Sequence, residues 1–288
     1  MRGAGSHLTA PPVLVIEAGR RLVPFRFGEL WAYRELLYFL VWRDIKVRYR
    51  QTVLGAVWAI LQPLLTMVVF TLFFHRLAGI ESAGLPYPLF AYTGLLAWTF
   101  FAQAVTQAAN SLVGSAHLIT KVYFPRLLVP MAAIVGAVVD LLVALPVLFI
   151  MMAVYGVAPG PALILLPAVL LLAVAAAAGV GVWLAALNVE YRDVRHAVPF
   201  LVQLLLFLTP VIYPATTMSS SLAKLGVPGW VVALNPMAGA VEGLRWTLLR
   251  PAPSAGLLLL VGAAVAVLLF ISGLFYFRRV ERSFADVV

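Results

Sequence analysis

Six long apolar runs, uncharged except for Asp140 in the third, alternate with short polar segments along this chain. They cover residues 54–74, 86–115, 127–155, 162–187, 197–213 and 255–277. A helix needs about 20 apolar residues to cross the ~30 Å hydrocarbon core, where charges and irregular backbone are costly. The pattern therefore predicts an all-α integral membrane protein with six transmembrane helices. Because residues 82 to 120 contain no Asp, Glu, Lys or Arg, we expect the second helix to extend beyond the bilayer or to bend.

An amphipathic segment at about residues 28–50 precedes the first run. Its apolar stripe at helical spacing comprises Leu30, Tyr33, Leu37, Val41 and Ile45. Trp31, Tyr38 and Trp42 suit the headgroup level of a membrane. The segment therefore predicts a cytoplasmic helix lying at the membrane surface. Two roles stay open, an anchor for the first span or a part in gating or partner contact. Residues 1–27 are interpreted as a cytoplasmic tail and 28–288 as a single transmembrane domain.

The polar region between the fifth and sixth runs has helical patterns that are too short to cross a membrane. Residues 230–234 are followed by Asn235-Pro236 and then by a helical pattern over 237–249, where Glu242 and Arg245 would be costly in lipid. The pattern favours broken, re-entrant or surface-lying helices on the outer side. An ordinary outer loop is the alternative.

The charge distribution orients the predicted spans. Hydrophobic residues make up 64% of the chain and charged residues 11%, which excludes an ordinary soluble domain. Sixteen of the twenty basic residues fall before the first run, in the second and fourth connections, or after the last run. The positive-inside rule therefore places both termini in the cytoplasm. The net charge of +9 is explained by this topology rather than by a nucleic-acid partner.

Motifs for catalysis are missing from the sequence. The four histidines fall in different segments, no paired acidic or metal-binding motif occurs, and no Lys follows a Gly as a phosphate-binding P-loop requires. These observations disfavour a membrane enzyme and a metal site. Asp140 is the one carboxylate inside a predicted span, so an ion-coupled carrier is also disfavoured. Asp140 has no obvious basic partner in the sequence, and a structural role is favoured over a functional one.

Five ordered segments carry a resemblance to a known family. They are RDIKVRYRQTVLGAVWAILQPLL (43–65), HLITKVYFPRLLVP (117–130), LNVEYRDVRHAVPFLVQLLLFLTPVIYP (187–214), LNPMAGAVEGLRW (234–246) and FRRVERSFADV (277–287). These segments resemble the permease subunit of the ABC exporters that move lipid-linked polysaccharide, including O-antigen and teichoic acid, out of the cytoplasm. The similarity extends from about residue 28 to the end of the chain.

The resemblance implies a non-enzymatic permease in the bacterial plasma (inner) membrane. Its fold would combine the amphipathic helix, six spans and re-entrant outer helices. Two copies would form a homodimer with two ATP-binding subunits, which bind ATP and Mg, so no cofactor is expected in this chain. The expected substrate is lipid-linked polysaccharide, and the alternative is a drug or another small lipid-like molecule.

The resemblance and the placement of charged and aromatic residues also suggest site residues. The region coupled to the ATP-binding subunit is implied to be His117, Leu118, Ile119, Thr120, Lys121, Val122, Tyr123, Phe124, Pro125 and Arg126. Basic side chains for the lipid phosphate are hypothesised at Arg43, Lys46, Arg48 and Arg50. Aromatic side chains for the sugars are hypothesised at Trp58, Phe70, Phe73, Phe74, Tyr92, Trp98 and Phe101.

Overall fold

A computed structural model describes residues 27–50, 55, 57–250, 255–281 and 284. Within these ranges the fold is entirely helical, which confirms the predicted all-α class. The helices are α1 Phe27–Ala32, α2 Arg34–Arg50, α3 Val57–Phe70, α4 Tyr87–Gly114, α5 Ala116–Lys121, α6 Leu128–Val154, α7 Leu166–Glu190, α8 Val194–Phe207, α9 Ala215–Lys224, α10 Pro236–Leu248 and α11 Gly256–Val280. A π-helix, Thr71–Leu77, continues α3, and 3-10 turns at Pro161–Leu165 and Gly229–Leu234 precede α7 and α10. The predicted tail lies outside the described residues up to residue 26.

Five helical segments among the described residues are long and apolar enough to cross a membrane. They are Val57–Leu77, Tyr87–Gly114, Leu128–Val154, Pro161–Glu190 and Gly256–Val280. They coincide with five of the six runs in the sequence. The remaining run forms α8, which has only 14 residues and ends before a turn that contains Pro210 and Pro214. Proline cannot donate a helical hydrogen bond, which accounts for the early end of α8. A count of six spans stays a prediction.

α4 is the central helix of the bundle. It packs against α3, α6, α7, α8 and α10, and most of its side chains are buried. Its 28 residues form one continuous helix about 42 Å long at 1.5 Å per residue. This length exceeds the ~30 Å hydrocarbon core, in agreement with a helix that extends beyond the bilayer.

Glycines bring α7 and α11 into backbone contact. A Cβ atom at Gly179 would lie 2.8 Å from the backbone nitrogen of Phe270, and one at Gly273 would lie 3.0 Å from the carbonyl oxygen of Gly179. Small residues allow such close approach between membrane helices and strengthen their van der Waals contact. α7 and α11 therefore form a tightly packed pair.

α2 packs along α6 with the apolar stripe that the sequence predicts. Leu40 is buried, and Tyr33, Leu37 and Val41 are partly buried against a cluster from α5, α6 and α11. The stripe thus faces protein rather than lipid. Trp31 on α1 and Tyr38 and Trp42 on α2 are exposed, so these aromatics are free to meet headgroups.

Candidate functional site

A polar cluster joins the end of α2 to the middle of α6. The Arg48 guanidinium donates through Nη1 to Oδ2 of Asp140 and through Nη2 to Oε1 of Gln107, which lies on α4. The Tyr49 hydroxyl donates to the other carboxylate oxygen of Asp140. Asp140 therefore has the basic partner that sequence reasoning missed. Arg48 and Asp140 lie 92 positions apart in the sequence. Helical spacing relates only residues three or four positions apart, so it does not predict this pair.

The cluster is largely removed from solvent. Asp140 is 7% exposed, and the side chain of Arg48 is 24% exposed. Burial, followed by the hydrogen bond to Asp140, raises the pKa of Tyr49 to about 12. The phenol therefore keeps its proton at physiological pH and acts as a donor. Both carboxylate oxygens are occupied by donors, which lowers the cost of a buried charge.

A small cavity lies beside Asp140, between α3, α4 and α6. Its volume is about 10 Å³, and its lining includes Pro63, Thr99 and Gln103. Such a volume is close to the minimum for one water molecule. The cluster therefore has polar neighbours but no room for a sugar or a phosphate.

The other basic residues of α2 are more accessible than Arg48. Arg43 is exposed and pairs with the adjacent Asp44 at 2.8 Å, while Lys46 and Arg50 are exposed. Of the four cations hypothesised to bind the lipid phosphate, Arg43, Lys46 and Arg50 are thus open to an approaching anion. The guanidinium of Arg48 instead donates to Asp140 and Gln107 inside the protein.

The aromatic residues hypothesised to contact the sugars also fall into an exposed and a buried group. Trp58 and Phe73 are exposed, and Phe74 is partly buried. Phe70 and the three aromatics of α4, Tyr92, Trp98 and Phe101, are buried in the bundle. Burial gives these four side chains a packing role within this chain. The path itself stays a prediction, with Trp58 and Phe73 as its exposed aromatic members.

The implied coupling region forms an exposed knob after α4. α5 and the residues after it present an exposed face made of His117, Thr120, Lys121, Val122 and Tyr123. Tyr123 is 95% exposed, whereas Ile119 and Phe124 are buried and fix the knob to the bundle. An apolar and basic surface of this kind is suited to a protein partner with an acidic rim.

The side chain of Arg126 contacts Glu281 and Phe284, which follow α11, and does not extend into solvent. Its guanidinium donates through Nη1 to the carbonyl oxygen of Glu281, and its backbone N–H donates to Oε1 of Glu281 at 3.3 Å. The guanidinium carbon also lies 5.9 Å from the centre of the Phe284 ring. Arg126, which the resemblance implies to be part of the coupling region, is thus bound within the protein.

Arg245 forms a second buried polar centre in the region between α8 and α11. It is 1% exposed and pairs with Glu242 at 3.1 Å. Its Nη1 also donates to the carbonyl of Pro210, at 2.6 Å, and its Nη2 donates to those of Val211, at 2.7 Å, and Phe90, at 3.3 Å. Carbonyl groups in the turn after α8 lack helical donors, and Arg245 supplies them.

Gly94 and Glu242 complete this centre. A Cβ atom at Gly94 would lie 2.7 Å from Nη2 of Arg245, so glycine leaves the space that the guanidinium occupies. Glu242 also accepts from the backbone N–H of Ala215 at 2.8 Å, which fixes the start of α9. The predicted helix over 237–249 is thus α10, with its charges covered by protein. Its re-entrant position in a membrane stays a prediction.

Comparisons with known proteins identify a family and several relatives of this chain. The sequence model of the ABC-2 type transporter family matches residues 35–249. The chain is 34% identical over 256 residues to the O-antigen export system permease protein RfbA of Myxococcus xanthus, covering 88% of this chain and 96% of that protein. Two Klebsiella pneumoniae proteins of the same name are 24% and 26% identical, each over 88% of this chain and 95% of its own length.

Proposed function

The chain belongs to the ABC-2 type transporter family, and on that premise we propose that it is the permease subunit of an ATP-driven exporter of lipid-linked polysaccharide of the O-antigen or teichoic-acid kind. The observation that carries the proposal is the 34% identity to an O-antigen export permease along 96% of that protein. Two further relatives with the same name support the same substrate class. Export of a drug or another small lipid-like molecule is the alternative within the family.

The proposed assembly contains two copies of this chain and two ATP-binding subunits in the bacterial inner membrane. The partner subunits would bind ATP and Mg, and both termini of this chain would lie in the cytoplasm. The exposed knob around Lys121 and Tyr123 supports contact with an ATP-binding partner, since it projects from the bundle at the end where basic residues are dense.

In the proposed mechanism, ATP binding closes the partner subunits and moves the knob. Because Ile119 and Phe124 are buried against neighbouring helices, the motion passes directly into the bundle. Helices next to the dimer axis then shift and open a passage. The energy comes from ATP in the partner, and this chain converts it into helix movement.

The proposed substrate path begins at α2. The lipid phosphate would meet the exposed side chains of Arg43, Lys46 and Arg50, which attract anions without requiring a particular sugar. The sugars would then pass the exposed rings of Trp58 on α3 and of Phe73 in the π-helix that continues α3. Arg48 takes no part in phosphate contact here, because Asp140 and Gln107 already occupy its guanidinium.

Deletion of the gene, combined with purification of the chain from its host, tests the proposal. We expect lipid-linked glycan to accumulate inside the deleted strain and an ATP-binding subunit to co-purify with the wild-type chain. Glycan that still reaches the cell surface in normal amount would contradict the substrate. Accumulation of a different lipid would favour the alternative.

A further inference from the structure

We propose that the end of α11 is a clamp that holds the two loops 122–127 and 190–193 in one arrangement, on which the ATP-binding partner docks. The α11 clamp consists of Tyr276, Phe277, Glu281 and Phe284. The proposal rests on the proposed function, because it takes the knob of residues 116–124 as the face that the partner contacts. The clamp residues would position this face rather than touch the partner.

The first half of the clamp holds the loop 122–127 through two hydrogen bonds, both donated by Arg126 and accepted by Glu281. The Glu281 carboxylate accepts the backbone N–H of Arg126 at 3.3 Å, while the guanidinium of Arg126 donates to the carbonyl of Glu281. The same guanidinium lies over the ring of Phe284. Since both main-chain and side-chain atoms take part, the position and the orientation of the loop are fixed together.

Apolar burial reinforces the same contact. Phe277 and Phe284 are fully buried, and their rings meet edge to face with centroids 5.3 Å apart. They belong to the cluster that contains Ile119 of α5 and Phe124 of the loop. Phe277 of α11 and Phe284, which follows the helix, thus pack in one cluster with the buried residues of the knob.

The second half of the clamp reaches the other loop. The Tyr276 hydroxyl donates to Oε2 of Glu190, the last residue of α7, at 2.8 Å. The Tyr276 ring also stacks on Trp183 with centroids 4.3 Å apart. Consecutive residues of a helix point about 100° apart, so Tyr276 and Phe277 face two different segments. One helix end therefore contacts both the loop 122–127 and the C-terminal end of α7, where the loop 190–193 begins.

The knob consists of a short helix and a loop, so it needs contacts with the rest of the protein to keep one conformation. α5 has only six residues, which is too short for a helix that is stable by itself. A loop that orders only on binding loses conformational entropy at that moment, which weakens the complex. Prior attachment to α11 removes this loss and transmits movement of the knob into a membrane span.

The first experiment measures mobility of the knob. The chain contains no cysteine, so Tyr123→Cys gives a single site for a spin label on an exposed side chain. We expect Glu281→Ala and Phe284→Ala to increase label mobility in the purified permease. Ser272→Ala is the matched control for the contact with the loop 122–127, since the Ser272 hydroxyl on α11 accepts from Trp183 of α7, donates to Leu269, and has no hydrogen bond to that loop within the described part of the chain. Unchanged mobility in both clamp variants would overturn the clamp.

The second experiment measures capture of the ATP-binding subunit by the unlabelled chain. We expect Glu281→Ala to lower capture about fivefold, the ratio that corresponds to loss of about one hydrogen bond, with Ser272→Ala equal to wild type. Normal capture despite a mobile knob would overturn the role in docking. If the wild-type chain captures no ATP-binding subunit, the proposed function fails and this role fails with it. In that case the label experiment still reports on the clamp contacts.

Discussion

The guanidinium of Arg48 and the carboxylate of Asp140 form an ion pair that joins the last turn of α2 to the middle of α6. Asp140 lies 12 residues after Leu128, which places it about 18 Å along α6. The end of α2 thus reaches far along α6. The ion pair therefore fixes the position of α2 relative to the rest of the bundle.

Replacing Asp140 with Asn should destabilise the protein. Arg48 would keep its positive charge in a site that is largely removed from water, at a cost of about 2 kcal/mol, less than the 3–5 kcal/mol of a fully buried pair. Thermal unfolding of the purified protein in detergent measures the change. Asp44→Asn is the control, because the exposed Arg43–Asp44 pair should contribute less than about 1 kcal/mol.

The double variant Arg48→Gln with Asp140→Asn should recover part of the lost stability. With both charges removed, no unpaired charge is left in the bundle, so the two changes are not additive. Equal melting temperatures for Asp140→Asn and Asp44→Asn would contradict the importance of the pair.

Replacing Arg245 with Lys should also lower stability. A lysine ammonium cannot reproduce the planar guanidinium, which serves Glu242 and the carbonyls of Pro210, Val211 and Phe90 together. Loss of two buried hydrogen bonds predicts a cost of about 2–4 kcal/mol. Arg76→Lys, at an exposed position, should leave the melting temperature unchanged. An unchanged melting temperature for Arg245→Lys would show that the contacts with the three carbonyl groups are not required for stability.

Replacing Gly179 with Ala should loosen the packing of α7 against α11. The added methyl would lie 2.8 Å from a backbone nitrogen of α11, so the helices must separate, at a cost of about 1–3 kcal/mol. Gly256→Ala is the matched control on α11, because its methyl meets no atom within 4 Å. Thermal unfolding distinguishes the two. A similar melting temperature for both variants would contradict the close contact.

Combined replacement of Lys46 and Arg50 with Ala should impair export without changing stability. Both side chains are exposed, so their loss disturbs no packing, whereas loss of one charged contact to a lipid phosphate predicts about tenfold slower transport. Surface polysaccharide and melting temperature are measured in parallel. Lys224→Ala, an exposed cation on α9, serves as the control. Normal export by the double variant would remove both residues from the path.

The sequence predicts the helical elements better than it predicts the contacts between them. Five spans follow from hydropathy, because lipid and protein interiors both demand apolar helices. For the same reason hydropathy cannot tell a ring that faces lipid from one that faces protein. Trp98 and Phe101, hypothesised to contact the sugars, are buried in the bundle. Their place in the path stays a prediction.

Long-range polar contacts are the other part that sequence reasoning missed. Arg48 pairs with Asp140 across 92 residues, and Arg126 with Glu281 across 155. Helical spacing relates residues three or four positions apart, so it carries no information on either pair. Both basic residues had been interpreted as free for a ligand or a partner. An unpaired Asp140 in an apolar run was the one available sign that a cation had to lie nearby.

The backbone contact between α7 and α11 limits which parts of the bundle can move. At Gly179 and Gly273 the main chains of the two helices approach closely, so sliding one helix past the other would bring main-chain atoms into collision there. Val57–Leu77, by contrast, contains no glycine that could bring its backbone against another helix, and only Ala59, Pro63 and Phe70 of this segment are buried. We therefore expect α7 and α11 to keep their position relative to each other during a transport cycle, while α3 moves.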